Sequence, residues 1–123
     1  MQRFSRTLAA CVLASYLGAA TGVLHAAEVA FALRIENSHV PENMRLIRIQ
    51  RNDVVKLQWT SDRPMTIHLH GYDIEKEIRP GTVTDMVFTA RAMGRFTVEP
   101  HLAREPSGGH AHGEVLVTIE VYP

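Results

Sequence analysis

The chain has almost no cysteine and no excess of charge of either sign. Its 123 residues include a single cysteine, Cys11, so a disulfide within the chain and a cysteine-based zinc cluster are both excluded. Basic and acidic side chains number 13 each, and no Lys/Arg-rich segment offers a footprint for phosphates, so nucleic acid is not an expected partner. Nucleophile-elbow and Gly-rich phosphate-loop patterns are also lacking, and the sequence therefore predicts that this is not an enzyme.

The N-terminus predicts export. Two arginines precede an apolar stretch at residues 8–20, and Ala26 supplies a small residue for cleavage, so we interpret residues 1–26 as a signal peptide. The stretch is shorter than the roughly 20 residues that span a bilayer. A membrane anchor and a lipidated Cys11 are the less favoured alternatives. The mature domain, residues 27–123, is expected to be periplasmic or secreted and not to span a membrane.

The rest of the chain predicts a β-rich domain. Short runs with period-2 alternation are separated by turn residues such as Pro80-Gly81. The predicted strands are residues 28–35, 44–50, 54–60, 65–70, 74–78, 83–89, 94–99 and 114–122. Residues 51–53 form a tight turn that predicts a hairpin between the second and third strands. Seven or eight short strands in under 100 residues indicate an all-β, Greek-key antiparallel β-sandwich, with Trp59, Phe88 and Phe96 in its core.

Histidine is the unusual residue here. His68 and His70 end an apolar run, and if that run is a strand, they share one of its faces. His101, His110 and His112 form a second group, the last two in a Gly-rich segment. Because imidazole is the commonest protein ligand for metals, these five histidines are the predicted metal ligands. Each also has a simpler interpretation, as a surface side chain or one that is hydrogen-bonded to the backbone.

Several other side chains are candidates for supporting roles. Asp73 or Glu99 would orient an imidazole by accepting its second N–H, and the sequence does not choose between them. Met65 or Met93 would provide a soft contact to a metal. Glu75 and Glu77 share a strand face with basic neighbours, which indicates a solvated, charged edge.

The order of these elements resembles the cupredoxin family over nearly the whole mature chain. The residues that carry the resemblance are Arg51-Asn52-Asp53-Val54-Val55, Trp59-Thr60, His68-Leu69-His70-Gly71, Pro80-Gly81, Phe88 and Gly94-Arg95-Phe96-Thr97-Val98. The resemblance implies a β-sandwich that binds copper near the loop before its last strand. The His-x-His-Gly element is also similar to the histidine motif of multicopper oxidases. This chain departs from the family at Pro100, where the pattern would place the copper-binding cysteine.

The missing cysteine decides which copper chemistry is expected. A blue site needs a thiolate ligand, whereas a set of imidazoles suits Cu(II), with Zn(II) as a second choice. The sequence thus predicts an exported, histidine-rich, cupredoxin-like protein that binds non-blue copper for carriage, buffering or delivery to a periplasmic or membrane partner. The main alternative is a metal-free interaction module in a periplasmic or membrane-associated assembly. Electron transfer through a non-blue site is a third interpretation.

Overall fold

The computed structural model describes residues 26–101 and 113–123, which form eight strands and one 3-10 helix. The helix is Glu42–Met44. The strands are β1 Glu28–Ile35, β2 Leu46–Gln50, β3 Val54–Ser61, β4 Met65–Leu69, β5 Ile74–Ile78, β6 Thr84–Thr89, β7 Gly94–His101 and β8 Val117–Tyr122. The predicted all-β fold is confirmed. No helix within this part of the chain is long and apolar enough to cross a membrane. The predicted signal peptide lies almost entirely outside the described residues and stays a prediction.

The strands form because their apolar residues alternate with polar ones. In β3, Val55, Leu57 and Trp59 are fully buried, while the residues between them are partly exposed. This is the pattern of a strand with one face on a core and one toward water. The same alternation in β4 buries Ile67 and Leu69 and turns His68, between them, outward. That outward face of β4 carries the histidines.

The strands pack as two mixed sheets. One sheet has the order β1-β3-β6 and the other the order β2-β8-β7-β4-β5. The pairs β1·β3 and β2·β8 are parallel. The other four pairings of the described strands are antiparallel, which is the arrangement that the sequence predicts throughout. β5 lies at a sheet edge, in agreement with its charged sequence.

The predicted hairpin between β2 and β3 is wrong, because these strands lie in different sheets. Residues 51–53 do make a tight turn, closed by the Asp53 backbone N–H donating to the Gln50 carbonyl at 3.2 Å. The other two N–H groups of the turn, however, donate to carbonyls in other parts of the fold. Arg51 donates to the Tyr122 carbonyl at 2.7 Å, and Asn52 donates to the Ala90 carbonyl at 2.8 Å. The turn therefore carries the chain from one sheet to the other across the sandwich.

The core lies between the two sheets and receives side chains from every strand. Trp59 and Phe88 are buried in it, as predicted, and Phe96 is half-buried against it. The fully buried aliphatic side chains come from both sheets, and the largest are Ile35, Leu57, Ile67, Leu69, Ile78, Leu116 and Ile119. The outer face of the five-stranded sheet therefore contributes little to the core and is free to carry polar groups.

One such polar group is Glu120 on β8, which has three neighbours on that outer face. Its carboxylate accepts from the Tyr122 hydroxyl at 2.6 Å and lies 2.8 Å from Arg95 Nη2 and 3.3 Å from Arg48 Nε. The hydrogen bond from Tyr122, assisted by the two arginines and opposed by partial burial, holds the pKa of Glu120 below its ordinary value. The ionised carboxylate thus stabilises the folded state.

A carboxyl with a lowered pKa adds stability above its ordinary pKa, and that stability is lost as pH falls through the folded value. We expect Glu120→Gln to lower the melting temperature near neutral pH and to flatten its decline between about pH 6 and pH 3. Thermal unfolding followed by circular dichroism measures this. Glu42→Gln, at an exposed position in the 3-10 helix, is the control. Parallel pH curves for wild type and Glu120→Gln would show that the network adds no linked stability.

Candidate metal centre

His68 in β4 and His70 directly after β4 lie on the outer face of the five-stranded sheet. Ile67 and Leu69 are buried in the core, so period-2 alternation directs His68 and His70 to the opposite face. His68 is paired with Glu99 on β7 and with Glu75 on β5. The sheet register therefore places a carboxylate on each side of His68.

A third histidine joins this pair from β7. His101 is paired with Thr66, two residues before His68. The ring centroids of His68 and His70 are 4.5 Å apart, and those of His68 and His101 are 5.2 Å apart. Three of the five predicted ligands thus meet around His68.

Each of the three imidazoles has one nitrogen that is shielded from solvent. These nitrogens are Nδ1 of His68, Nε2 of His70 and Nε2 of His101. Nδ1 of His68 has no hydrogen-bond partner among the described residues. A buried polar atom without a partner is costly, and this calls for a function or a missing ligand. The lone pair of a neutral imidazole nitrogen is what a metal ion would take up.

Three carboxylates lie next to nitrogens of this cluster, and two of them contact shielded nitrogens. Asp73 Oδ1 lies 3.3 Å from His68 Nε2, and Glu99 Oε2 lies 3.1 Å from His70 Nε2. Glu75 Oε2 lies 3.7 Å from His101 Nε2. The sequence suggested Asp73 and Glu99 as neighbours of imidazoles, and the structure places both there. It missed Glu75, which the alternation of β5 assigned to a charged edge. The β4–β5 register, which brings Glu75 opposite His68, was the missing signal.

Gly71, directly after His70, packs closely against Phe96, which contacts the core. Its φ is +88°, in the left-handed region. A Cβ at this position would lie 2.5 Å from Cδ1 of Phe96. The ring of Tyr72 packs against Phe88 and Phe96, with centroids 4.8 and 4.9 Å away. Only glycine allows the chain to leave β4 this closely against Phe96.

The other residues discussed from the sequence have different outcomes. His110 and His112 fall outside the described residues and stay predictions. Met65 packs against the core, and Met93 is exposed. His39 lies 3.7 Å from Glu114 through its Nδ1. Pro100, which replaces the expected cysteine, is buried in β7.

The donor set fits a nitrogen-bound ion, although the site is not preformed. Within residues 26–101 and 113–123, no group of three or more His, Cys, Asp or Glu side chains already has the geometry to hold a metal. Three clustered imidazoles and the orphaned, buried Nδ1 of His68 nevertheless supply suitable donors.

Comparison with solved structures gives the fold but not the activity. The chain is similar to a heme-copper terminal oxidase (23% identity, TM-score 0.56), covering 75% of this chain and 63% of that one. It is also similar to the periplasmic domain of cytochrome oxidase subunit II (CoxB) of Bradyrhizobium japonicum, with 13% identity, a TM-score of 0.57 and coverage of 80% and 87%. A multi-copper oxidase from Pseudomonas thermotolerans matches at 20% identity and a TM-score of 0.56 over 80% of this chain.

These neighbours are cupredoxin-like domains, and the resemblance predicted from the sequence is confirmed for the fold. The chain spans less than two thirds of the terminal oxidase chain and only 30% of the multi-copper oxidase chain. No family model matches the chain, and no curated protein matches its sequence. The protein has a cupredoxin-like fold with a histidine cluster on its outer face.

Proposed function

We propose that this protein binds one copper ion, as Cu(II), through its clustered histidines, and that it carries, buffers or delivers copper. The observation that supports this most directly is the meeting of His68, His70 and His101, each with a ring nitrogen shielded from solvent. We propose His110 and His112, outside the described residues, as additional ligands. The proposed role is binding rather than catalysis.

Copper is the metal that this set of donors favours. Imidazole nitrogens bind Cu(II), Ni(II) and Zn(II), and affinity along the divalent series is highest for Cu(II). Cys11 is the only cysteine in the chain, so the domain offers no thiolate for a blue site. Similarity to a heme-copper terminal oxidase and to a multi-copper oxidase supports copper over zinc.

The position of the cluster supports carriage or delivery. The three imidazoles lie on the outer face of a sheet and remain partly exposed to solvent. A metal bound there would be reachable by ligands from a partner protein, whereas an ion enclosed in the core would not. Two of the similar structures are parts of oxidase assemblies, which supports a protein partner.

Export is the second part of the proposal. It is supported by the signal-like N-terminus, residues 1–26, and by the similarity to a periplasmic domain of cytochrome oxidase subunit II. N-terminal sequencing of the protein purified from a periplasmic or secreted fraction tests it. Cleavage after Ala26 is the expected result.

We expect the purified protein to bind one Cu(II) per chain without the intense thiolate-to-copper band of blue sites, because the ligands are imidazoles. Absorption and electron paramagnetic resonance during Cu(II) titration measure this, with nitrogen hyperfine splitting as the positive sign. His39→Ala is the control and should bind like wild type. A strong blue band would refute the ligand set. A folded protein that binds neither Cu(II) nor Zn(II) would support the metal-free interaction module.

A further inference from the structure

Glu99 differs from the other two carboxylates around the histidine cluster. Its side chain is 17% exposed, whereas those of Glu75 and Asp73 are 58% and 100% exposed. It also makes the shortest contact, 3.1 Å from its Oε2 to His70 Nε2. A carboxylate held this far out of water needs strong compensation from its surroundings.

The 3.1 Å contact involves the nitrogen of His70 that is shielded from solvent. Oxygen and nitrogen ligands bind a divalent ion of this type at about 2.0–2.1 Å. Two such ligands are therefore about 2.9 Å apart when they meet at a right angle and about 3.4 Å apart in a tetrahedron. The observed separation lies between these values, so both atoms could bind one ion, although it is also an ordinary hydrogen-bond distance. The 3.7 Å between Glu75 and His101 exceeds both ligand spacings.

Neighbouring groups hold Glu99 in this position. Its Cα is paired with that of His68 across β4 and β7, which fixes the backbone. Its other oxygen, Oε1, accepts from the Thr97 hydroxyl at 3.2 Å. Oε2 is thus left toward the imidazoles. Ligands on rigid strands with a supporting hydrogen bond are the arrangement that gives precise metal sites.

Asp73 has a different relation to the cluster. It faces Nε2 of His68, while the shielded nitrogen of that ring is Nδ1. An imidazole that donates its Nε2–H to a carboxylate keeps its lone pair on Nδ1. Asp73 is therefore suited to orient His68 without binding the metal, whereas Glu99 is suited to bind the metal directly.

We infer that Glu99 is itself a metal ligand, which makes the site on this sheet face a set of three imidazoles and one carboxylate. The inference rests on the proposed function, because it assumes that His68, His70 and His101 bind an ion. A carboxylate is a hard, anionic ligand, so this set selects divalent Cu(II) or Zn(II) over soft Cu(I). The described sheet face thus supplies four ligands, and the proposed ligands His110 and His112 would add to them.

The test compares Glu99→Gln with Glu75→Gln in the full chain. Both remove one carboxylate charge next to a histidine, but only the first removes the inferred ligand. We expect Glu99→Gln to weaken Cu(II) and Zn(II) binding by about 100-fold or more. This is at or beyond the largest effect typical of residues that hydrogen-bond to a ligand without binding the metal. Glu75→Gln should weaken binding by well under 100-fold, because it removes a neighbour of a ligand and not a ligand. Affinities follow from titration against a competing chelator.

Infrared difference spectra of the Zn(II)-loaded and metal-free proteins, with labelled glutamate, show whether a carboxylate binds directly. We expect a shifted carboxylate band in wild type that is lost in Glu99→Gln, and a corresponding band in Glu99→Asp when aspartate is labelled instead. Thermal unfolding without metal checks that each variant folds. Two results overturn the inference but leave the histidine site standing. One is unchanged affinity in a folded Glu99→Gln. The other is reduced affinity in Glu99→Gln when the wild-type protein shows no shifted carboxylate band. A wild type that binds no Cu(II) overturns the proposed function itself.

Discussion

Replacing His68 and His70 together with alanine should abolish tight Cu(II) binding while the domain stays folded. Both side chains project from the outer face of the sheet, on a strand whose inward residues Ile67 and Leu69 hold the core. The backbone of β4 is paired on both sides, so alanine at these positions disturbs no sheet hydrogen bond. Loss of two ligands should reduce affinity on the order of 1000-fold or more. This exceeds the effect typical of removing a residue that only hydrogen-bonds to a ligand. Chelator competition gives the affinity, and circular dichroism gives the fold.

The paired comparison is His110→Ala with His112→Ala. These histidines are proposed ligands outside the described residues, and their removal should weaken binding and leave a more water-exposed site. The strand pair should matter more, because its backbone is fixed before the metal arrives. If the strand double variant unfolds while the other binds as tightly as wild type, then His68 and His70 have a structural role and the proposed chelate is wrong.

Gly71→Ala is expected to destabilise the protein strongly. The added Cβ would lie 2.5 Å from Cδ1 of Phe96, and φ of +88° is unfavourable for alanine. Phe96 cannot yield easily, because its ring packs against Tyr72. Overpacking and backbone strain together should cost about 2–4 kcal/mol, a large part of the 5–15 kcal/mol typical of a domain. In a domain of this size the melting temperature should fall on the order of 10–20 °C.

Gly81→Ala is the matched control for this change. Gly81 also has a positive φ, +78°, but a Cβ there would meet nothing within 4 Å. The difference between the two variants therefore isolates the contact with Phe96. A double-mutant cycle with Phe96→Leu should recover part of the lost stability in the Gly71→Ala background. Equal melting temperatures for Gly71→Ala and Gly81→Ala would show that the site is not tied to the core through this glycine.

The sequence predicts the strands well because their signal is local. Alternation of buried and exposed residues in β1 and β3 is visible in the sequence and identifies the inward face of each strand. Period-2 alternation does not tell which sheet a strand joins. For that reason the turn at residues 51–53 was predicted as a hairpin, although its N–H groups bond to Tyr122 and Ala90 and connect the two sheets.

The same distinction applies to the site. The shared face of His68 and His70 follows from their two-residue spacing at the end of β4. The approach of His101 and Glu75 depends on how β4 pairs with β7 and β5, which is set by contacts distant in the sequence. Glu99 was predicted as a neighbour of an imidazole, but its burial and its 3.1 Å distance to His70 come only from the packed sheet.

The parallel pairing of β2 with β8 has a consequence for the order of folding. Leu46 near the start of the domain pairs with Thr118 near its end, and β2 stands at the sheet edge with β8 as its neighbour. Such distant pairings close slowly, since loop entropy is lost before the contact forms. A chain that emerges N-terminus first therefore cannot complete its five-stranded sheet until β8 has emerged. Only then is the histidine-bearing face held by its complete sheet.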